Sequence, residues 1–328
     1  MTIKTFLKKA FVCAGFFIFA QTLFAQAAAG SGGLNAKQED DVLRQYLWNK
    51  FINLPKDKRP KIGLTLSAGG IRGLSHIGTM EVLRASGLPV DYMSGTSMGC
   101  IVGALYTSGV SSQRMWELAK DPKFSYVSKD LTVIGFLKYL LGNKLFSADR
   151  FEQFISEEIG GVNYEDLPIP FGCVSADIKT GEKIVFDSGP VALGVHASMN
   201  LPGIFAPVEY RQRFLVDGGV VDYIPIDLVK EDGAQWVLAI FALPDYSKTT
   251  PSTILGYLVR TGDLRGAVLM ENSEKTANYV LASRVGDINF IDPSQSLRAA
   301  EIGAKEAYAA LDDMKENLLL FSTKYVYE

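Results

Sequence analysis

Pro89-Val90-Asp91-Tyr92-Met93-Ser94-Gly95-Thr96-Ser97-Met98-Gly99-Cys100-Ile101-Val102-Gly103 is the stretch on which the fold turns. Residues 89–94 read as a short strand and residues 100–106 as the helix that follows it. Between them, Gly95-Thr96-Ser97-Met98-Gly99 has the spacing G-x-S-x-G. In a nucleophile elbow of that spacing, serine sits on a sharp turn that lifts its hydroxyl above the sheet, and the glycines make room for the turn. The bare pattern also arises by chance in plain tight turns. Its position between a strand and a helix favours the nucleophile, with Ser97 as the candidate and Gly95 and Gly99 as its flanks.

Working outward, Lys61–Ser67 is a second short apolar run, and it stops at Ser67-Ala68-Gly69-Gly70-Ile71-Arg72-Gly73. Residues 74–87 then recur at helical spacing through Ile77, Met80 and Leu83 and end at Gly87. A glycine loop between strand and helix points backbone N–H groups into a site, and the helix adds its positive end. A phosphate-binding P-loop would need Gly-Lys-Ser/Thr, which is absent, and a dinucleotide loop would need glycine where Ala68 stands. An oxyanion hole needs only well-placed donors, and a structural turn needs less still. Further strands are read at Phe171–Asp177, Lys183–Phe186, Phe214–Val216 and Trp236–Phe241, with a closing helix over 296–320. Strands alternating with helices predict an α/β fold with a mainly parallel sheet covered on both faces. No composition shift after residue 37 marks a second domain, and no internal repeat is evident.

Asp217-Gly218-Gly219 follows one of these strands and offers an acid at a strand end, although Asp-Gly is also a common turn. A serine nucleophile needs a proton acceptor, and the chain holds only two histidines. His76 falls in the first turn of its helix, where packing is its expected role. His196 as base would follow the order serine, acid, histidine, but would leave Asp217 idle. The remaining base is a carboxylate bonded directly to the serine, which demands a preorganised, dry site.

The composition sets bounds on these readings. Of 328 residues, 48% are hydrophobic and 21% charged, enough apolar surface for a core and too much for a disordered chain. With 33 basic and 36 acidic residues, no nucleic-acid footprint is visible. Residues 1–27 carry Lys4, Lys8 and Lys9, an apolar run from Ala10 to Ala20 and Ala25-Gln26-Ala27, the layout of a signal peptide. Its removal takes three lysines and no acid, shifting the net charge from −3 to −6. Export to the periplasm or outside the cell is the expectation, with an uncleaved membrane anchor as the alternative. Residues 28–59 read as a linker and a leading helix. Cys100 and Cys173 are read as two buried small hydrophobes rather than a disulfide.

Taken together, these residues resemble the patatin-like phospholipase family. Ala68–Gly73 is similar to its G-G-G-x-R/K-G oxyanion motif, Gly95–Gly99 to its elbow and Asp217–Gly219 to its D-G-A/G motif. The three stand in the family's order, with the elbow about 25 residues after the loop and the acid about 120 after the serine. Gly73–Gly78 and Ser198–Phe205 also look familiar, so the likeness spans roughly residues 60–245. It implies a three-layer α/β/α sandwich over residues 60–320, without metal or cofactor. It further implies hydrolysis of lipid or phospholipid acyl esters by a dyad of Ser97 and Asp217. Gly69, Gly70, Arg72 and Gly73 would form the oxyanion loop, with Arg72 steadying it or meeting a phosphate. Ala68 departs from the motif, and its methyl group is harmless only if its φ stays negative. A lipid-binding module of the same fold without catalysis is the alternative. Residues 131–146 are strongly apolar, read either as buried helix or as a lid or membrane-contacting surface over an acyl pocket. Tyr257–Leu269, mixing apolar residues with Arg260 and Arg265, reads as a solvated helix face rather than a lipid-headgroup site.

Overall fold

A computed structural model of the chain describes residues 36–121, 147–248 and 250–326. The expectations for residues 1–27 and 131–146 lie outside the described residues. By contacts the chain divides into two compact units, residues 61–311 and residues 1–60 with 312–328. In the smaller unit, helix α1 (Ala36–Ile52) contributes Arg44, which pairs with Asp312 at 3.3 Å, and Trp48, whose ring lies under the Lys315 ammonium.

The larger unit holds an eight-stranded sheet. Strand β1 (Ile62–Leu66) leads through a 3-10 turn at Gly70–Leu74 into α2 (Ser75–Ala85). Strand β2 (Tyr92–Thr96) leads into α3 (Met98–Thr107), followed by α4 (Ser112–Lys120) and α5 (Asp149–Ile159). Strands β3 (Phe171–Asp177) and β4 (Lys183–Phe186) form a hairpin, then come α6 (Val191–Met199), β5 (Val208–Tyr210) and β6 (Arg213–Asp217). Helix α7 (Ile226–Glu231), β7 (Trp236–Pro244), α8 (Ile254–Glu274), β8 (Tyr279–Gly286) and α9 (Ser296–Phe321) complete it, and α9 runs on into the smaller unit.

The sheet order is β5-β6-β3-β2-β1-β7-β8, with β4 beside β3. The four pairings from β3 through β2, β1 and β7 to β8 are parallel, and those at β4, β5 and β6 are antiparallel. Every residue of β1 and β3 is buried, as expected for strands covered by helices on both faces. The strand order reverses at β1, because β2 lies on one side of it and β7 on the other. Ligand sites in open α/β sheets form at such a point, beyond the carboxyl ends of the strands. The loops after β1 and β2, which carry the glycine motif and the elbow, both open there.

One expectation is corrected. Cys100 and Cys173 form a disulfide, with Cα atoms 5.5 Å apart, joining the first turns of α3 to β3. Both are fully buried, so the apolar surroundings were read correctly and the pairing was not. Gly95 of β2 stands opposite Cys173 in the parallel register, which brings the start of α3 over that position.

Candidate active site

The elbow follows from steric necessity at three positions. A Cβ on Gly95 would lie 2.5 Å from the carbonyl oxygen of Gly99, and one on Gly99 would collide with the carbonyl oxygens of Leu66 and Ser67. Side chains are therefore excluded where α3 turns back over β2 and against the end of β1. Ser97 itself has φ 55°, ψ −119°, a backbone conformation that L-residues rarely adopt. The strain, of order 1–3 kcal/mol, persists because neighbours over-determine it. Its N–H donates to Ser198 Oγ at 2.8 Å, and Ser198 Oγ donates in turn to the Val174 carbonyl at 2.6 Å.

Asp217 ends β6, two strands away, and β3 acts as the ruler between them. Thr96 stands opposite Val174 and Asp217 opposite Ser175. This register places the two side chains at one level above the sheet. Ser97 Oγ donates to Asp217 Oδ2 at 2.6 Å, and the Gly219 N–H donates to Asp217 Oδ1 at 2.7 Å. The Asp217 N–H is held by the Asn200 carbonyl at 2.9 Å. Ser97 and Asp217 are 6% and 4% exposed. Burial raises the Asp217 carboxyl from 3.8 to about 6, against the opposing pull of the bonds from Ser97 and Gly219.

Neither histidine takes part in the Ser97–Asp217 contact. His76 is fully buried on α2, where its Nε2–H donates to the Ser67 carbonyl at 2.9 Å, and burial lowers its pKa to about 4. It packs, as its helical position predicts. His196 Nδ1 lies 2.5 Å from Glu152 Oε2, a hydrogen bond between α6 and α5.

The glycine loop is pinned on both sides of Gly69 and Gly70: Ala68 N–H donates to the Tyr223 carbonyl and Ile71 N–H to the Phe290 carbonyl, each at 2.9 Å. Gly70 has φ 53°, and a Cβ there would strike the Phe290 carbonyl and ring. A Cβ on Gly73 would lie 2.7 Å from Met98 Cβ, so the loop packs directly on the residue after Ser97. Ala68 keeps a negative φ, the condition under which its methyl group is tolerated. Arg72 turns into the protein: Nη1 donates to Asp263 Oδ2 at 2.6 Å and Nε to the Ile288 carbonyl at 2.7 Å. Both partners of the ion pair are nearly inaccessible, so Arg72 steadies the loop.

Two cavities meet at Ser97 and Asp217. A small one of about 70 Å³ is lined by Gly70, Ser97 and Asp217 with Met199 and Phe205; one of about 380 Å³ is lined by Ala68, Ser97, Asp217, Tyr223 and Leu258. Leu201 and Phe290 border both. The walls are chiefly apolar, so Ser97 and Asp217 stand where two apolar compartments meet. No cluster of metal-ligating side chains is found among the described residues.

Sequence reasoning did not single out Ser198, Asp263 or Phe290 individually. Ser198 lay within a stretch noticed for its resemblance, but its bond to the Ser97 N–H depends on how α6 packs on β3. Asp263 is 191 residues from Arg72, and no local signal links them.

Comparison with known proteins agrees with this architecture. A patatin-like phospholipase domain matches residues 64–230. An NTE family protein of Mycobacterium bovis is 30% identical over 185 residues, covering 55% of this chain and 49% of that protein. A lysophospholipase of Meyerozyma guilliermondii is 30% identical over 194 residues, 58% of this chain and 13% of that protein. The chain therefore matches about half, or much less, of these relatives' lengths. Among solved structures, human GIVD cytosolic phospholipase A2 aligns with a TM-score of 0.42 at 13% identity, covering 88% of this chain and 65% of that one. With the domain match spanning half the chain and the glycine loop, elbow and acid all inside it, the chain belongs to the patatin-like phospholipase family.

Proposed function

We propose that the protein hydrolyses acyl esters of lipids, with Ser97 as nucleophile and Asp217 as its base. The observation that carries this reading is the 2.6 Å bond from Ser97 Oγ to Asp217 Oδ2, buried between apolar cavities. Ser97 Oγ attacks the ester carbonyl carbon as its proton passes to Asp217. The N–H groups of Gly69 and Gly70, at the start of a helical turn and without intrahelical acceptors, receive the developing oxyanion. Collapse breaks the ester C–O bond, and the departing alcohol takes the proton from Asp217. A water then gives its proton to Asp217 and attacks the acyl group, releasing the fatty acid and returning the proton to Ser97.

A free aspartate is a poor base toward a serine hydroxyl. Burial that raises the Asp217 carboxyl to about 6 brings it nearer to the pH at which a base both stays ionised and accepts a proton. The apolar walls support an acyl chain as the group bound, and the named activity of the lysophospholipase relative points the same way.

Ser97→Ala and Asp217→Asn should each lower hydrolysis of a short-chain ester at least about 10³-fold while the melting transition stays cooperative. A fluorophosphonate probe should label the parent protein at Ser97. Full hydrolysis by the Ser97→Ala variant would overturn the mechanism; absence of both labelling and hydrolysis would favour a lipid-binding module without catalysis.

A further inference from the structure

Helix α8 turns several of its large apolar side chains outward. Its inner face touches the rest of the unit through Asp263, paired with Arg72; through Gly266, where a Cβ would strike the Tyr223 ring; and through Met270, packed on the cluster of Ile224, Val229 and Phe241. A surface helix ordinarily shows water its polar residues. Here Tyr257, Leu264 and Val268, spaced seven and four apart on one face, are 58%, 50% and 61% exposed, and Leu258 beside them is 60% exposed. The segment is exposed, as the reading of a solvated face expects, and four of its large exposed side chains are hydrophobic.

Two further observations say what covers this face. Leu258, Val259 and Gly262 of α8 form one wall of the larger cavity, whose opposite wall is the dyad, so the exposed stripe begins at the lip of the active site. Arg260, stacked on the Tyr246 ring, and Arg265, donating to the Val220 carbonyl, place cations beside the stripe. Hydrocarbon flanked by arginine is the composition of a helix that lies in a lipid interface, its apolar side in the acyl boundary and its cations among the phosphates. No described helix is long and apolar enough to cross a membrane.

We propose that the outer face of α8 seats the protein on a phospholipid bilayer, so that the larger cavity opens directly onto the membrane surface. What enters the cavity rests on the acyl-ester reading above; the seating itself does not.

The experiment uses the full chain carrying Ser97→Ala and vesicles of ether-linked phosphatidylcholine with a minority of ether-linked phosphatidylglycerol, whose chains carry no ester to cleave. Flotation with these vesicles should weaken at least about tenfold in Leu264→Glu/Val268→Glu, residues that do not line the cavity, because interfacial affinity scales with buried apolar area. Tyr308→Glu, an exposed position on α9, should bind like the parent, which separates loss of hydrocarbon from added negative charge. Melting temperatures should agree among the three. In the Ser97-intact background, the double variant should retain hydrolysis of a soluble short-chain ester. Equal flotation of the double variant would overturn the proposal. So would failure of the parent to float, or a dimer dissolved by the double substitution, which would assign the face to a second copy. Vesicle binding without ester hydrolysis in any variant would instead count against the acyl-ester reading and leave the seating intact.

Discussion

In the proposed mechanism, Asp217 links catalysis to stability through a single buried carboxyl. Unfolded, it loses its proton near 3.8; folded, burial holds the proton to about 6. Its contribution to stability is therefore full below about pH 4 and declines as pH rises through 6, a difference on the order of 3 kcal/mol. Asp217→Asn removes this titration. The variant should be close to the parent in stability near pH 4 and gain on it between pH 4 and 7, as thermal melts across that range would register. Activity should run the other way: kcat/KM of the parent for a short-chain ester should rise with pH up to about 6 and then level as the base becomes ionised. A pH-rate profile flat from 4 to 7 would contradict Asp217 as the base. His76 has the opposite sign. Its pKa, lowered by burial to about 4, makes it a source of stability that is lost as pH falls from 6.5. Ser97 and Asp217, which the structure brings into contact, both stood out in the sequence because each sits in a short motif. The bonds from Ser198 and Asn200 that hold them were not visible, since those depend on the packing of α6.

Among the elements, the turn between β2 and α3 and the tie between the glycine loop and α8 make distinct predictions. Gly99→Ala would press a methyl group against the carbonyls at the end of β1, so the elbow must move or the sheet must yield. We expect loss of ester hydrolysis together with a lowered melting temperature, whereas Gly181→Ala, in an open turn at φ 73°, should leave activity unchanged. The Arg72–Asp263 pair is a different case: removal of one partner leaves a buried charge unanswered. Asp263→Ala should cost about 3–5 kcal/mol by denaturant titration and loosen the oxyanion loop. Double replacement of Arg72 and Asp263 by apolar residues should recover part of that loss. Strands β1, β3, β4 and β7 were legible as apolar runs bounded by turns. Strand β8 was not, because it alternates buried Leu281, Ser283 and Val285 with exposed Val280 and Arg284, and Ser283 and Arg284 cut short its apolar run Tyr279–Ala282. Helix α8 was recognised as helical, but which of its apolar side chains turn outward was invisible, since spacing gives the stripe and not the direction in which it points.

At the scale of the molecule, the α/β class and the mainly parallel sheet followed from alternating strands and helices. The antiparallel edge at β5 and β6, the second compact unit and the disulfide did not, because each is fixed by pairings between distant segments. The Cys100–Cys173 bond closes a loop of 73 residues and couples the helix behind Ser97 to the strand beside Asp217. Chain-entropy reasoning assigns it about 4 kcal/mol. Cys100→Ala/Cys173→Ala should lower the melting temperature by roughly 10 °C for a unit of this size. An unchanged transition would show that the bridge adds nothing beyond packing. The position of β1 between β2 and β7 has a consequence for how the molecule is made. Ile62 pairs with Trp236, so the middle of the sheet stays open until most of the larger unit has been synthesised or has collapsed. Such non-local pairing is slow to form, and the nascent chain must keep β1 and β2, with their apolar faces, shielded while it waits for β7. Refolding yield, more than final stability, is therefore where this architecture is most exposed to chain concentration and temperature.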